Sequence, residues 1–480
     1  MRWIRYSALF LACGALALTA CTEDVTSPTQ TDEAALEAPA FAKSVSDGLP
    51  PADDLGAKHI VVFSRRSGAP RDFESAVADL GGTVDAVYKR VGAAVVSGLT
   101  AGAAVVLQNR SDVTSVEVEP VIVLDLPDYQ QGELLDAVPA SPTQPWTALL
   151  FSEQWNLRAI GAHYAWLSGR FGSSHVTLAI LDTGIDYLYP DLVGRVDLSR
   201  SASFIPQDDA DVDASFPGRD YVTDLHWHGT HVSTIAVSNA AFFAGVTSGV
   251  TLMGVKVCSW QGGCPGSAIF QGIMHAVENG ADVINMSLGG YAQKREYPGF
   301  VSAINRLLNY ARSRGVTMVV SAGNEGVDLD HIGDWYATYC DAPNVICVSA
   351  TGPTARLSAA EWENVDAPAF YTNYGRSAID VAAPGGNSAA SANWVPGPCS
   401  TSSLEFPPCQ AAYYVLSAAG TSQAAPHVAG LAALMVEDFG RNPGRIKAAI
   451  QQSADDLGQP GTDPWYGKGR INVATAVGAN

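Results

Sequence analysis

Hydrophobic and polar positions divide the chain into stretches of different texture. Beyond residue 57, short apolar runs and amphipathic segments follow one another with little between them. HIVVF (59–63) reads as a strand, and PRDFESAVADLGG (70–82) as a helix stopped by glycines. TVDAVY and AAVVSGL are strand-like, AGAAVVLQNR is helical, and VTSVEVEPVIVL (113–124) carries β-branched residues at strand alternation. The order β-α-β-β-α-β predicts a small α+β, ferredoxin-like domain over residues 57–126. Residues 127–150 return to a proline- and aspartate-bearing linker.

From residue 151 to 480 the strands lose their alternation. HVTLAILDTG, TLMGVKV, ADVINMSLGG, GVTMVVSAGNEG and NVICVSATG are continuous apolar runs ending in small or polar residues. Runs of that kind suit a parallel sheet covered on both faces. GSAIFQGIMHAVENG and FVSAINRLLNYARSRG, between them, are amphipathic and glycine-terminated. The expected fold is α/β with a central parallel sheet, and ligands bind such sheets beyond the carboxyl ends of the strands. AAGTSQAAPHVAGLAALM (418–435) is unusual, for small residues surround Ser422 before an apolar helical run. Pro426 is expected within a first helical turn, which sets Ser422 at a helix N-terminus, where negative charge is favoured.

Composition narrows the picture. Hydrophobic residues are 47% and charged residues 16%, so a large core is available, and the net charge of −20 repels nucleic acid and anionic lipid. MRWIRYSALFLACGALALTAC opens with Arg2 and Arg5 before a short apolar block, the pattern of an export signal. Its last four residues resemble the lipobox of bacterial lipoproteins, which implies lipidation of Cys21. Residues 22–56 are polar, acidic and proline-bearing, a flexible tether. Two of the eight cysteines lie in the signal; the others fall as near neighbours, Cys258 and Cys264, Cys340 and Cys347, Cys399 and Cys409. In an exported chain an even set reads as disulfides, three local bridges being the simplest pairing. No C-x-x-C spacing points to zinc.

Nucleophilic catalysis by serine needs a base, an acid that fixes the base, and donors for an oxyanion. Asp182 follows a buried strand, His226, His228 and His231 precede a helical stretch, and Asn324 follows another strand. The pair His228 and His231 also suggests a metal site, but a third ligand is not evident nearby, so no metal residues are assigned.

AILDTGID, HGTHV, INMSLGG, SAGNEG and GTSQAAPHVAG resemble, in order, the signature segments of subtilisin-like serine peptidases. The order Asp, His, Ser is that of subtilisin itself. The resemblance implies the three-layer subtilisin-like fold over 151–480 and hydrolysis of polypeptides by Ser422, with His228 as base and Asp182 orienting it. It also implies Asn324 and the Ser422 N–H as oxyanion hole, and Ser287, Leu288 and Gly289 as a substrate-pairing strand edge. No cofactor is required for that chemistry. Residues 239–249 lack an asparagine-bearing calcium loop, and Asp191 is the residue left as a calcium ligand in another arrangement; structural calcium stays unassigned. Thr234 stands where the family usually has glycine, and Gln423 where methionine is commoner. The loop 327–344 is expected to border the specificity pocket, and the Cys258–Cys264 loop to edge the substrate strand.

By the same resemblance residues 57–126 are an inhibitory propeptide, the processing site falls in the linker that follows, and the precursor is a lipid-anchored monomer whose mature domain is released. The alternative is a catalytically inactive, peptide-binding surface lipoprotein, against which the intact Asp182, His228, Asn324 and Ser422 speak. An esterase of another α/β fold lacks its G-x-S-x-G elbow here, and no nucleotide-binding glycine motif occurs.

Overall fold

A computed structural model describes residues 58–64, 68–124, 128–387 and 393–479. The chain divides into two compact units, Met1–Pro39 and Ala40–Asn480, and every described residue belongs to the second. The export segment, Cys21 and the tether lie outside the described residues.

The first elements are β1 (His59–Phe63), α1 (Phe73–Asp79), β2 (Thr83–Tyr88), β3 (Ala93–Ser97), α2 (Ala101–Gln108) and β4 (Val113–Val118). Their strands form an antiparallel sheet in the order β2-β3-β1-β4. Val61 and Phe63 of β1 pack with Phe73, Val77 and Leu107 beneath the domain's own helices. Ile60 and Val62 point the opposite way, into the core of the large domain. Because successive strand residues face opposite sides, this small sheet is apolar on both faces and needs two covers.

The apolar run 113–124 is not one strand. It breaks at Pro120, and β5 (Val121–Val123) leaves the small sheet to pair with a segment of the large domain. Residues 127–150 are likewise more than a linker, for β6 (Asp128–Leu135) is an eight-residue strand. Neither change has a periodicity signal, since both strands are satisfied by distant partners.

The large domain continues with β7 (Thr177–Asp182), β8 (Ala202–Ser203), α3 (His228–Ala236), β9 (Thr251–Lys256), β10 (Gly263–Pro265), α4 (Gly266–Glu278), β11 (Val283–Met286) and β12 (Tyr291–Gln293). After α5 (Pro298–Ser313) and β13 (Thr317–Ser321) come β14 (Trp335–Ala337), β15 (Val345–Gly352), β16 (Ala367–Pro368) and β17 (Val381–Pro384). β18 (Val395–Pro398), β19 (Tyr413–Ala419) and α6 (Thr421–Phe439) complete the part that builds the site. The main sheet runs β16-β15-β13-β11-β7-β9-β8, with β17 also beside β15, and only β16 is antiparallel.

β7 is buried along its whole length. Leu178 and Ile180 enter the core shared with α6, whereas Ala179 and Leu181 enter the core shared with α4 and α5. The sheet is thus the middle of three layers, as its unalternating runs predict.

The small domain docks on the starts of α4 and α5. Glu117 accepts from the N–H groups of Gly299 and Phe300, both at 2.7 Å, and Glu119 from that of Ser267 at 2.6 Å. First-turn amides lack partners within their own helix, so the half-buried Glu117 and the buried Glu119 complete both helices. A side chain on Gly299 would start 1.7 Å from the Ser115 hydroxyl, which fixes glycine at the contact. Glu117→Ala, in a chain also carrying Ser422→Ala, is expected to raise hydrogen exchange at Gly299 and Phe300 about 10- to 100-fold, as loss of charge-assisted hydrogen bonds implies. Exchange mass spectrometry checks this.

Candidate active site

Asp182 is the last residue of β7, and α3 begins with His228. Their side chains are fully buried, and His228 Nδ1 lies 2.7 Å from Asp182 Oδ1. That contact holds the proton on Nδ1 and leaves a lone pair on Nε2 of the neutral ring. His228 Nε2 is buried with no hydrogen-bond partner.

The Asp182 turn and α3 are in direct contact. A Cβ on Gly229 would fall 2.0 Å from the Gly184 carbonyl oxygen, so the glycines of AILDTGID and HGTHV allow one backbone to lie on the other. Asp224 ties them from behind: it accepts from Thr183 Oγ1 at 2.9 Å, Thr230 Oγ1 at 2.6 Å and Thr230 N–H at 2.9 Å. Sequence reasoning missed Asp224, because nothing local separates it from a surface aspartate. The threonines it binds are the central residues of both motifs.

Ser422 is the second residue of α6 and 5% exposed. The helix starts at Thr421, which puts Pro426 in the second turn and corrects the first-turn expectation. Residue 426 would ordinarily donate its N–H to the Ser422 carbonyl, and proline has none. The Ser287 hydroxyl replaces it, donating to that carbonyl at 2.7 Å. In return the Ser422 hydroxyl donates to the Ser287 carbonyl at 3.0 Å. Ser422 is therefore tethered to the substrate-strand candidate, and no hydrogen bond joins it to His228 in this state.

Asn324 lies at the other side of the same helix start. Its carboxamide oxygen accepts from the N–H of Thr421 at 2.8 Å and from Thr421 Oγ1 at 2.9 Å. This fixes the amide so that Nδ2 is its donor end. Asp182, His228, Asn324, Ser287 and Ser422 thus converge at the carboxyl ends of the parallel strands. A hydroxyl, an oriented base and amide donors at a helix N-terminus can support nucleophilic attack on an acyl group.

β5 occupies the adjoining cleft. It pairs antiparallel with β10, Ile122 opposite Cys264, and Leu124 N–H donates to the Gly262 carbonyl at 2.9 Å. On the other side a Cβ on Gly290 would meet Ile122 at 3.4 Å, so the 287–290 segment borders the same strand. β12, which follows directly, pairs with β14 of the 327–344 loop. The cysteine pairs come together with Sγ–Sγ distances of 2.01 Å (Cys258–Cys264), 2.02 Å (Cys340–Cys347) and 2.16 Å (Cys399–Cys409).

The other histidines are structural. His226 Nδ1 accepts from the His228 N–H at 3.2 Å, and burial beside His228 pushes its pKa down to about 3. His231 Nε2 donates to the Leu416 carbonyl at 3.1 Å, and burial pushes it also to about 3. Thr234 fits its helix by donating to the Thr230 carbonyl at 3.0 Å. Gln423 is fully buried beside Ser422 with both amide atoms unpaired. Asp191 is not arranged as a cation ligand: Oδ1 accepts from the N–H groups of Ala241, Phe242 and Phe243 at 2.7, 3.0 and 3.3 Å. It closes the loop that carries these three residues. Among the described residues no cluster of three or more His, Cys, Asp or Glu is placed to hold a metal ion.

Residues 173–469, which span this site, match the Subtilase family. The chain belongs to the subtilase family. This subtilase is 34% identical over 319 residues to the thermophilic serine proteinase of Bacillus sp. (strain AK1), a match covering 65% of this chain and 64% of that one. It is 30% identical over 340 residues to thermitase of Thermoactinomyces vulgaris, covering 70% and 99%. In fold it is similar to the epidermin leader peptide processing serine protease of Staphylococcus aureus, with a TM-score of 0.67, 20% identity and coverage of 88% and 97%. Family membership makes it a serine-type endopeptidase with polypeptide substrates.

The buried histidines give the subtilase an acid-sensitive core. Folded His231 stays neutral down to about pH 3, whereas an unfolded imidazole takes up a proton below about pH 6.5. Protonation therefore favours the unfolded chain as pH falls from 6.5. In a Ser422→Ala background, His231→Gln should be the less stable protein at pH 7. Its deficit should narrow by about 2 kcal/mol at pH 5 by linkage, as read from urea unfolding at both pH values.

Proposed function

We propose that this subtilase is an exported endopeptidase made as a self-processing zymogen. Ser422 Oγ attacks the scissile carbonyl, His228 Nε2 takes its proton and later returns it to the leaving amine, and Asp182 stabilises the imidazolium between these steps. Asn324 Nδ2 and the Ser422 N–H hold the oxyanion. The observation that carries the reading is the buried 2.7 Å contact of Asp182 with His228, which readies a base beside a serine at a helix N-terminus. Substrate extends as a strand between β10 and residues 287–289.

The small domain acts as an intramolecular inhibitor. Its β5 lies on the β10 edge that a substrate needs, and its sheet face is covered by the large domain. Self-cleavage after β5 opens the cleft, and the domain then leaves or is degraded. Lipidation of Cys21 anchors the precursor to the cell envelope, so the same cut frees the peptidase from the membrane. The protein works as a monomer.

Purified precursor, wild type beside Ser422→Ala, tests this by intact mass and labelling with a fluorophosphonate. Wild type should lose its N-terminal portion and label at Ser422, and the variant should do neither. Folded wild type that stays full length and unlabelled would overturn the reading. Asn324→Ala should process and label but lose about 10²–10³ in kcat, the magnitude seen for an oxyanion donor in subtilisin itself.

A further inference from the structure

We propose that Trp227, Phe406 and Glu405 form a subsite for a tyrosine side chain on the leaving-group side of the scissile bond. The inference rests on the peptidase reading and extends it to a part of the cleft that the sequence motifs do not reach.

The chain enters the cleft on one edge and departs along another. Leu124 is bonded to Gly262, beside β10. β6 is paired antiparallel with β19, Asp128 opposite Ala419 and Tyr129 opposite Ala418. β19 runs through Gly420 directly into Thr421 and Ser422. Any bond cut between residues 124 and 128 therefore leaves Tyr129 on the C-terminal product. β18 covers the other edge of β19, so without β6 the edge leading to Ser422 is open to another extended peptide.

Tyr129 shows what that edge accepts. Its ring lies 5.2 Å from that of Trp227 and 5.5 Å, edge-on, from that of Phe406. Burial and then the nearby Glu405 carboxylate push its phenol pKa up, which sets Glu405 beside the hydroxyl. Tyr129 is itself 38% exposed, while Trp227 beneath it is fully buried, so the tyrosine caps an aromatic floor from outside. Trp227 precedes the base in sequence, with its ring 5.6 Å from that of His228.

The walls are built independently of β6. The Cys399–Cys409 pair closes the loop bearing Glu405 and Phe406. Phe406 N–H donates to Ser403 Oγ at 2.9 Å and Leu404 N–H to the Leu225 carbonyl at 2.7 Å. His231 holds β19 through Leu416. The socket thus has a flat aromatic base, an edge-on ring and one acceptor, a set that distinguishes tyrosine from alanine by ring contact and from phenylalanine by the hydroxyl.

The test uses the self-processed full chain and quenched peptides sharing one N-terminal half. Tyr, Phe or Ala is moved through the second to fifth residues after the cleaved bond. At one position Tyr should raise kcat/KM about tenfold over Ala, with Phe between, as aromatic contact energies imply. That position should equal the distance from the self-processing cut, read by mass, to Tyr129. Phe406→Ala should bring the Tyr/Ala ratio to near one, and Glu405→Ala, which removes the acceptor, should erase the difference between Tyr and Phe. A Tyr129→Ala chain, whose own strand grips the socket less, is run beside wild type. Absence of a tyrosine preference in both overturns the inference. An acyl 4-nitroanilide, which has no leaving-side residues, separates the two readings. Its hydrolysis without tyrosine preference sinks the subsite alone, whereas no hydrolysis and no fluorophosphonate labelling sinks the peptidase reading.

Discussion

A missing N–H group sets the position of the candidate nucleophile. Pro426 cannot donate to the Ser422 carbonyl, and the vacancy is filled from outside the helix by Ser287. The two serines exchange hydrogen bonds, hydroxyl to carbonyl in both directions. Ser287 follows β11 in the centre of the sheet, so the start of α6 is tied to the strand ends rather than left to helix geometry alone. Asn324, after β13, holds the preceding residue Thr421. Three central strands therefore deliver Asp182, Ser287 and Asn324 to one place, and α6 is clamped between the last two.

The small domain obeys a different constraint. Its strand β1 divides its side chains between two cores, one its own and one borrowed from the large domain. A sheet with two apolar faces and helices on one of them is unsatisfied when alone. Docking also completes the amide ends of α4 and α5 through Glu119 and Glu117, whose carboxyls burial pushes above their usual range. The same docking threads β5 along β10 and carries the chain towards β19, so assembly of the fold and occupation of the cleft are one event.

Much of this was legible in sequence. Unalternating apolar runs pointed to a doubly covered parallel sheet because each strand residue must find a core, and the chemistry-bearing residues stood where those runs end. Motif order joined Asp182, His228 and Ser422, which no spacing rule connects. What stayed hidden depends on partners far along the chain. Pro120 splits one β-branched run between two sheets, and β6 looks like linker until β19 is beside it. Asp224 was invisible for the same reason, since its role is defined by two threonines brought together only in the fold.

The dependence of Ser422 on Ser287 and Pro426 is open to a double-mutant cycle. The quantity to measure is the rate of fluorophosphonate labelling at Ser422 in wild type, Ser287→Ala, Pro426→Ala and the double variant. Removing the Ser287 hydroxyl should slow labelling, and alanine at 426, by returning an N–H to the Ser422 carbonyl, should recover part of that loss. If the two substitutions act additively, the exchange of hydrogen bonds between the serines does not position the nucleophile, and the account fails at its centre.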